Sequence, residues 1–382
     1  MHHPMRLQTI VFMLVAAAFT NIYITQPVLP VLQAEFTADT VTVSYTVAAV
    51  ILGVAIATLP FGTLVDHMPI KPIILVGGIT VALAGVICAT TDTLWILIGA
   101  RFVQGLFIPA LTTCLAAYLA RALPAEKLSV VMGSYVSATV VGGLGGRLLG
   151  GWIHPPLDWR YAFVSASILV MTATLIATRI LPDDATARVK PRKHTNYLAL
   201  LRRWELLRIY VLASASFFIF SAIFNFLPFR LQAPPFELST GLVTLLYLVY
   251  VMGIFMGPSA GRLSNQYGSG RTLITGVAIL GLSVAITLLP TLTAIVIGLV
   301  GICAGFFTVH AVAIGILNRR LNSGQGRANA LYVLFYYIGG WIGITLGGLA
   351  YELGDWNGVV QLCIIMLIPL LVVSMTERRL SA

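Results

Sequence analysis

Two arginines and one histidine of this 382-residue chain lie inside long apolar runs: Arg101, Arg147 and His310. A guanidinium stays charged and offers a planar fork of donors suited to carboxylate or phosphate. At the centre of a membrane helix an arginine costs about 2.5–3.5 kcal/mol on insertion scales, so such residues turn toward a polar interior. An imidazole titrates near pH ~6.5 and suits proton carriage near neutrality. Each residue has two readings. Arg101 is either held by backbone carbonyls and polar groups of the first apolar run or open to a ligand. Arg147 either meets an anionic group directly, or pairs with an acid at a run's end or snorkels. His310 is either a proton carrier or a neutral imidazole hydrogen-bonded across helices.

Other polar side chains share these runs: Asn21, Tyr23, Thr25, Gln26, Gln104, Asn225, Tyr247, Tyr250, Tyr336 and Tyr337. Asn21 and Thr25 are one helical turn apart, as are Arg101 and Gln104, so each pair can share a face. The acids are placed differently. Glu35, Asp39, Asp92, Asp158, Glu237, Glu352 and Asp355 fall at one set of run ends, and Asp66, Glu126, Asp183, Asp184, Glu205 and Glu377 at the other. No carboxylate remains mid-run, where a carboxylate proton carrier or an anchor for a cationic ligand would stand.

The elements that hold these residues are membrane helices. Apolar residues make up 58% of the chain and charged residues 9%, against about 25% charged in soluble domains. About 20 apolar residues cross a bilayer, and the pattern predicts twelve spans: 9–32, 41–65, 70–91, 95–121, 126–153, 158–181, 205–231, 238–264, 269–291, 293–319, 325–354 and 355–376. Six spans lie in 1–181 and six in 205–382, with a basic linker at 182–204. Placing both termini in the cytoplasm puts 19 of the 23 Lys and Arg on the inner side, as the positive-inside bias requires. The net charge of +10 then matches anionic membrane lipids rather than nucleic acid. The first apolar run extends past Ala16-Ala17-Ala18 to about Leu32, too long for a cleaved signal.

Cys88, Cys114, Cys303 and Cys363 sit inside spans without metal-ligand spacing, so neither zinc nor disulfides are expected. Nucleotide loops and nucleophile–base constellations are absent from the sequence, which argues against a pump or an enzyme and implies no cofactor. A membrane sensor is a remote alternative.

Two loops carry the same punctuation 199 residues apart: Gly62-Thr-Leu64-Val-Asp66 with Lys71, and Gly261-Arg-Leu263-Ser-Asn265 with Arg271. Internal duplication of this kind builds many transporters. The first loop resembles the signature loop of the major facilitator superfamily, although His67, Pro69 and Ile70 replace its usual basic and glycine positions. Arg101-Phe-Val-Gln104-Gly105 is similar to that superfamily's Arg-x-x-Gln-Gly element. Gly142-Gly-Leu-Gly-Gly146-Arg147-Leu-Leu-Gly150-Gly151 resembles a glycine-rich element of its exporters, with Arg147 where proline is usual, and Gly253-x-x-x-Gly257-Pro258-x-x-Gly261 is a similar string in the second half. Phe224-Asn225, Ala304-Gly305-Phe306-Phe307 with His310, Tyr336-Tyr337 and Trp356-Asn357-Gly358-Val359 look like the YnfM-like branch of the arabinose-efflux and drug:proton antiporter group.

The resemblance implies an all-α membrane protein of twelve transmembrane helices in two pseudo-symmetric six-helix halves, monomeric, in a bacterial inner membrane. It also implies proton-driven export of a small organic molecule by alternating access, with spans 1, 4, 7 and 10 lining the cavity. Asn21, Gln26, Arg101, Gln104, Arg147, Asn225 and Tyr337 are the expected substrate contacts, and His310 or Asp66 the expected proton carriers. Gly62, Asp66, Lys71, Gly261, Asn265 and Arg271 of the paired loops are expected gating positions, because in the superfamily the loop acid helps latch the cytoplasmic side shut through charge and helix-end contacts, and so are Gly146, Gly150, Gly257 and Pro258, because small residues four apart let helices approach closely. The acid-free interior favours a neutral or anionic substrate over a lipophilic cation. Uptake or exchange of an organic anion is the alternative.

Overall fold

A computed structural model describes residues 4–65, 67–181, 196–321 and 324–380. Asp66 and linker residues 182–195 lie outside the described residues. Among the described residues every regular element is helical. Eight of the twelve expected spans are helices long and apolar enough to cross a membrane by themselves or with a local break: Thr40–Leu64, Ile70–Thr90, Leu94–Ala120, Arg160–Ile180, Trp204–Gln232, Thr240–Tyr267, Ser269–Ile286 and Leu292–Arg319. Span 5 is the 29-residue helix Ala125–Ile153. Spans 11 and 12 share the 56-residue element Gln325–Leu380, which at about 1.5 Å per residue is far longer than one crossing needs. It is interrupted at Gly354 and Asp355, the latter at φ 50°, where the sequence places the boundary.

Span 1 departs from the expected continuous helix. It consists of Pro4–Thr20, an irregular stretch 21–25, a tight turn Gln26–Val28 and Leu29–Phe36. Pro27 accounts for the break: it has no N–H for the carbonyl four residues back, and its ring crowds that carbonyl. The chain tightens instead, with Gln26 N–H on Tyr23 O at 3.0 Å. Span 4 is likewise split at Thr112, shortly after Pro109, into Leu94–Leu111 and Thr113–Ala122. Asp39 stands just before the first turn of span 2, and its carboxylate accepts the Thr42 N–H at 2.6 Å. That backbone bond holds the Asp39 pKa below its usual value, as a carboxylate at a helix N-terminus should be.

Two compact units form: Met1–Ala38 with Tyr45–Arg192, and Asp39–Ser44 with Lys193–Ala382. The first turn of span 2 thus groups with the second unit. Each unit repeats one packing scheme. In the first, span 1 packs on span 5, and span 3 on spans 4 and 6; in the second, span 7 packs on span 11, and span 9 on spans 10 and 12. Glycines make the first of these contacts in both units. A Cβ on Gly142, Gly146 or Gly150 would lie 2.4, 2.1 or 1.9 Å from the carbonyl oxygens of Ala16, Thr20 and Ile24. A Cβ on Gly339 or Gly343 would meet the Ser214 and Phe218 carbonyls at 2.0 and 2.4 Å. The similar string on span 8 packs only in part: a Cβ on Gly253 would meet the Phe307 ring at 2.6 Å, whereas Gly257 and Gly261 have nothing within 4 Å of a Cβ. The true counterpart, Gly339-Gly-Trp-Ile-Gly343-Ile-Thr-Leu-Gly347-Gly348, stands 197 residues after Gly142.

Candidate functional site

In the first unit the break in span 1 creates the site. Ending a helix leaves its last carbonyls without intrahelical donors, and Arg101 of span 4 supplies them. Its guanidinium donates from Nη1 to Asn21 O and from Nη2 to Ile22 O at 2.7 Å, while Nε reaches Thr46 O of span 2 at 2.9 Å. Nη1 also donates to Gln104 Oε1 at 2.7 Å. Gln104 Nε2 in turn donates to Val81 O of span 3 at 3.1 Å and to Asn21 Oδ1 at 3.3 Å. Phe163 of span 6 lies 5.4 Å from the guanidinium. Arg101 is 0% exposed, and the oxygens around it are neutral. A cation beside the carbonyl end of a helix is favoured by the helix dipole, so the charge is solvated by dipoles, and among the described residues it forms no ion pair.

Arg147 lies on span 5 between the glycines that bring spans 1 and 5 together. Its Nε donates to Gln26 Oε1 at 2.7 Å and Nη1 to Gly143 O at 2.8 Å, and the Tyr23 ring covers the guanidinium at 3.9 Å. Tyr23 comes from the irregular stretch of span 1 and Gln26 from the tight turn that follows it. The same break therefore positions both arginines.

The second unit is lined differently. Rings from four spans pack on one another: Phe217 stacks on Tyr336 at 3.7 Å and Phe220 on Phe306 at 4.0 Å, and Phe224 meets Tyr250 at a tilt, 4.7 Å away. His310 joins this cluster, 5.8 Å from Phe306 and 5.3 Å from Tyr336, with Nδ1 3.0 Å from the Tyr332 hydroxyl. Tyr337 meets Phe217 and Tyr336 edge-on. Asn225 Nδ2 donates to Ser44 Oγ at 3.0 Å, and its buried Oδ1 has no partner among the described residues.

A family model described as Major Facilitator Superfamily matches residues 11–318 and 237–380. The chain belongs to the major facilitator superfamily. Its relatives include the inner membrane transport protein YnfM of Escherichia coli, 32% identical over 99% of this chain and 92% of that one. The MFS-type transporter YybF of Bacillus subtilis is 27% identical over 94% of this chain and 91% of that one. Among solved structures, the bacterial Spinster homologue in its inward-facing, occupied conformation aligns with a TM-score of 0.79 at 14% identity, covering 99% and 97% of the two chains. The nucleoside transporter NupG aligns at 0.79 and 12% identity, covering 97% and 99%. This superfamily member is therefore a multi-pass membrane transporter for small molecules, and not an enzyme.

Within the superfamily fold, the expected substrate contacts divide between the units. Asn21, Gln26, Arg101, Gln104 and Arg147 form two adjoining clusters around one helix break, whereas Tyr337 and Asn225 lie in the second unit. Of the expected gating positions, Gly146 and Gly150 are packed on span 1, and Gly62 is in ordinary contact with Thr113 at 3.8 Å. Pro258, Gly261, Asn265 and Arg271 are exposed, and Lys71 is half-buried.

One cluster escapes sequence reasoning altogether. Glu377, buried near the end of span 12, pairs with Arg208 of span 7 at 3.2 Å and with Arg320 at the end of span 10. Arg320 also donates to Glu205 O at 2.8 Å. Residues so far apart in sequence carry no local spacing that could reveal this; only the concentration of Arg at the span ends hints at it.

Proposed function

We propose that this transporter exports a small neutral or anionic organic molecule in exchange for protons by alternating access, in the bacterial inner membrane with both termini in the cytoplasm. One observation carries the substrate class: Arg101 is wholly buried and surrounded by neutral oxygens. Its positive charge raises the potential of the first unit's interior, which attracts anions and repels cations. Arg147, stacked on Tyr23 and bound to Gln26 beside it, is the arginine assigned to the ligand, and Arg101 the one assigned to holding span 1.

The aromatic wall of the second unit supports a ligand with an apolar body, since stacked rings offer large apolar area at little conformational cost. His310 is assigned the proton, because the sequence leaves no carboxylate mid-span. The experiment is a thermal-stability screen of the purified protein against carboxylates, phosphates and cationic dyes, since a ligand that binds only the folded state raises its apparent stability. Stabilisation by carboxylates or phosphates that disappears in Arg147→Ile is the expected result. Stabilisation dominated by cationic dyes and unaffected by that substitution overturns the substrate class.

Exchange or uptake of an organic anion without protons is the second reading, favoured by the same buried arginine. Counterflow in proteoliposomes with and without an imposed pH gradient separates the two.

A further inference from the structure

The surroundings of His310 contain a feature that the proton assignment does not use. Its Nδ1 lies 3.0 Å from the hydroxyl of Tyr332 on span 11, and that hydroxyl lies 3.5 Å from the backbone carbonyl of His310 itself. The two contacts fit one arrangement: Nδ1–H donates to the tyrosine oxygen, and the tyrosine O–H points to the His310 carbonyl. In the neutral ring one nitrogen donates and the other accepts, and the partner of one fixes the state of the other. The imidazole also packs against the neighbouring rings of Phe306 and Tyr336. Nε2 has no hydrogen-bond partner among the described residues and is not sealed from the surface, His310 being only half-buried.

We propose that Tyr332 is a positioning residue that fixes the Nδ1–H tautomer of His310 and thereby presents Nε2 as the nitrogen that takes the transported proton. This rests on the proton-coupled reading given above. The step is balanced: the Nε2 lone pair accepts one proton from water, the imidazolium keeps Nδ1–H on Tyr332, and Nε2 later returns the same proton to water. Tyr332 loses nothing and stays protonated.

The groups around the ring leave Tyr332 as the one able to set its tautomer. Span 11 contributes Tyr332 and Tyr336. Span 7 contributes Phe217 and Phe220, which stack behind Tyr336 and Phe306. Span 9 meets span 10 through Gly276 against Thr308 and Val309, and span 8 through Gly253 against Phe307. Among the described residues no charged side chain hydrogen-bonds to His310.

Nitrogen NMR of the full chain with labelled imidazoles, in phosphatidylethanolamine–phosphatidylglycerol nanodiscs, tests this without any knowledge of the substrate. The resonances missing from His310→Gln belong to His310. The expected result is a neutral ring protonated at Nδ1 in the wild type and a ring shifted toward the Nε2–H form in Tyr332→Phe. A wild-type ring protonated at Nε2 overturns the proposal whatever the variant does, and so does an unchanged tautomer in a folded Tyr332→Phe. A His310 that holds the Nδ1–H form yet does not titrate between about pH 5 and about pH 9 instead removes the proton-carrier reading, which keeps the two failures distinct.

Discussion

Arg101 and Arg147 have similar burial, and the proposal assigns them opposite tasks. Four hydrogen bonds of Arg101 go to oxygens of spans 1, 2 and 4. Removing the guanidinium leaves the carbonyls of Asn21, Ile22 and Thr46 without those donors, and a buried unsatisfied group costs about 1–3 kcal/mol. Arg101→Met should therefore destabilise the protein by about 3 kcal/mol or more, seen as low yield and early thermal unfolding in detergent. Arg147 is different, because its counterpart in the repeat is Ile344, so the packing scheme tolerates an apolar side chain there. Arg147→Ile should change stability by about 1 kcal/mol in the same thermal unfolding measurement while abolishing stabilisation by carboxylates. An Arg147→Ile protein as unstable as Arg101→Met would show that both arginines are structural.

The elements explain which parts of this arrangement were legible beforehand. Span number and the boundary at residues 354 and 355 follow from apolar run length and charge, which are properties of the local sequence. The break in span 1 was within reach, since Pro27 is visible, and one of the two readings of Arg101 already tied it to backbone carbonyls of span 1; which carbonyls it meets, with Asn21 80 residues away, is set by tertiary packing alone. The aromatic cluster was legible as residues and illegible as a wall, because Phe217, Phe306 and Tyr336 sit on three spans. The glycines show the same limit. Gly257 and Gly142 look alike in spacing, yet one faces open space and the other a backbone carbonyl. Gly146→Ala and Gly343→Ala should each cost about 1–3 kcal/mol through overpacking. Gly257→Ala should stay within about 0.5 kcal/mol of the wild type. Thermal unfolding of the three variants checks the ranking, and an equal loss in all three would remove the paired-stripe account.

At the scale of the whole molecule, charge asymmetry is the property that decides orientation. The inner side proposed here carries Lys71, Arg208, Arg271, Arg319 and Arg378, and the outer side carries Arg160 among Glu35, Asp92 and Asp158, with Trp159 donating to Glu35 at 2.6 Å. Lys and Arg in short loops resist translocation, so cytoplasmic termini are the expected outcome. Cysteine labelling can test this with little background, because Cys88, Cys114, Cys303 and Cys363 are all buried. Leu157 lies exposed in the loop between spans 5 and 6, and Gln266 lies exposed near the end of span 8. In intact spheroplasts a membrane-impermeant maleimide should label Leu157→Cys, and it should label Gln266→Cys only after the membrane is opened. The reverse pattern would invert the topology. It would also place the Glu377–Arg208–Arg320 cluster on the outside, where nothing in the positive-inside bias would account for so many arginines.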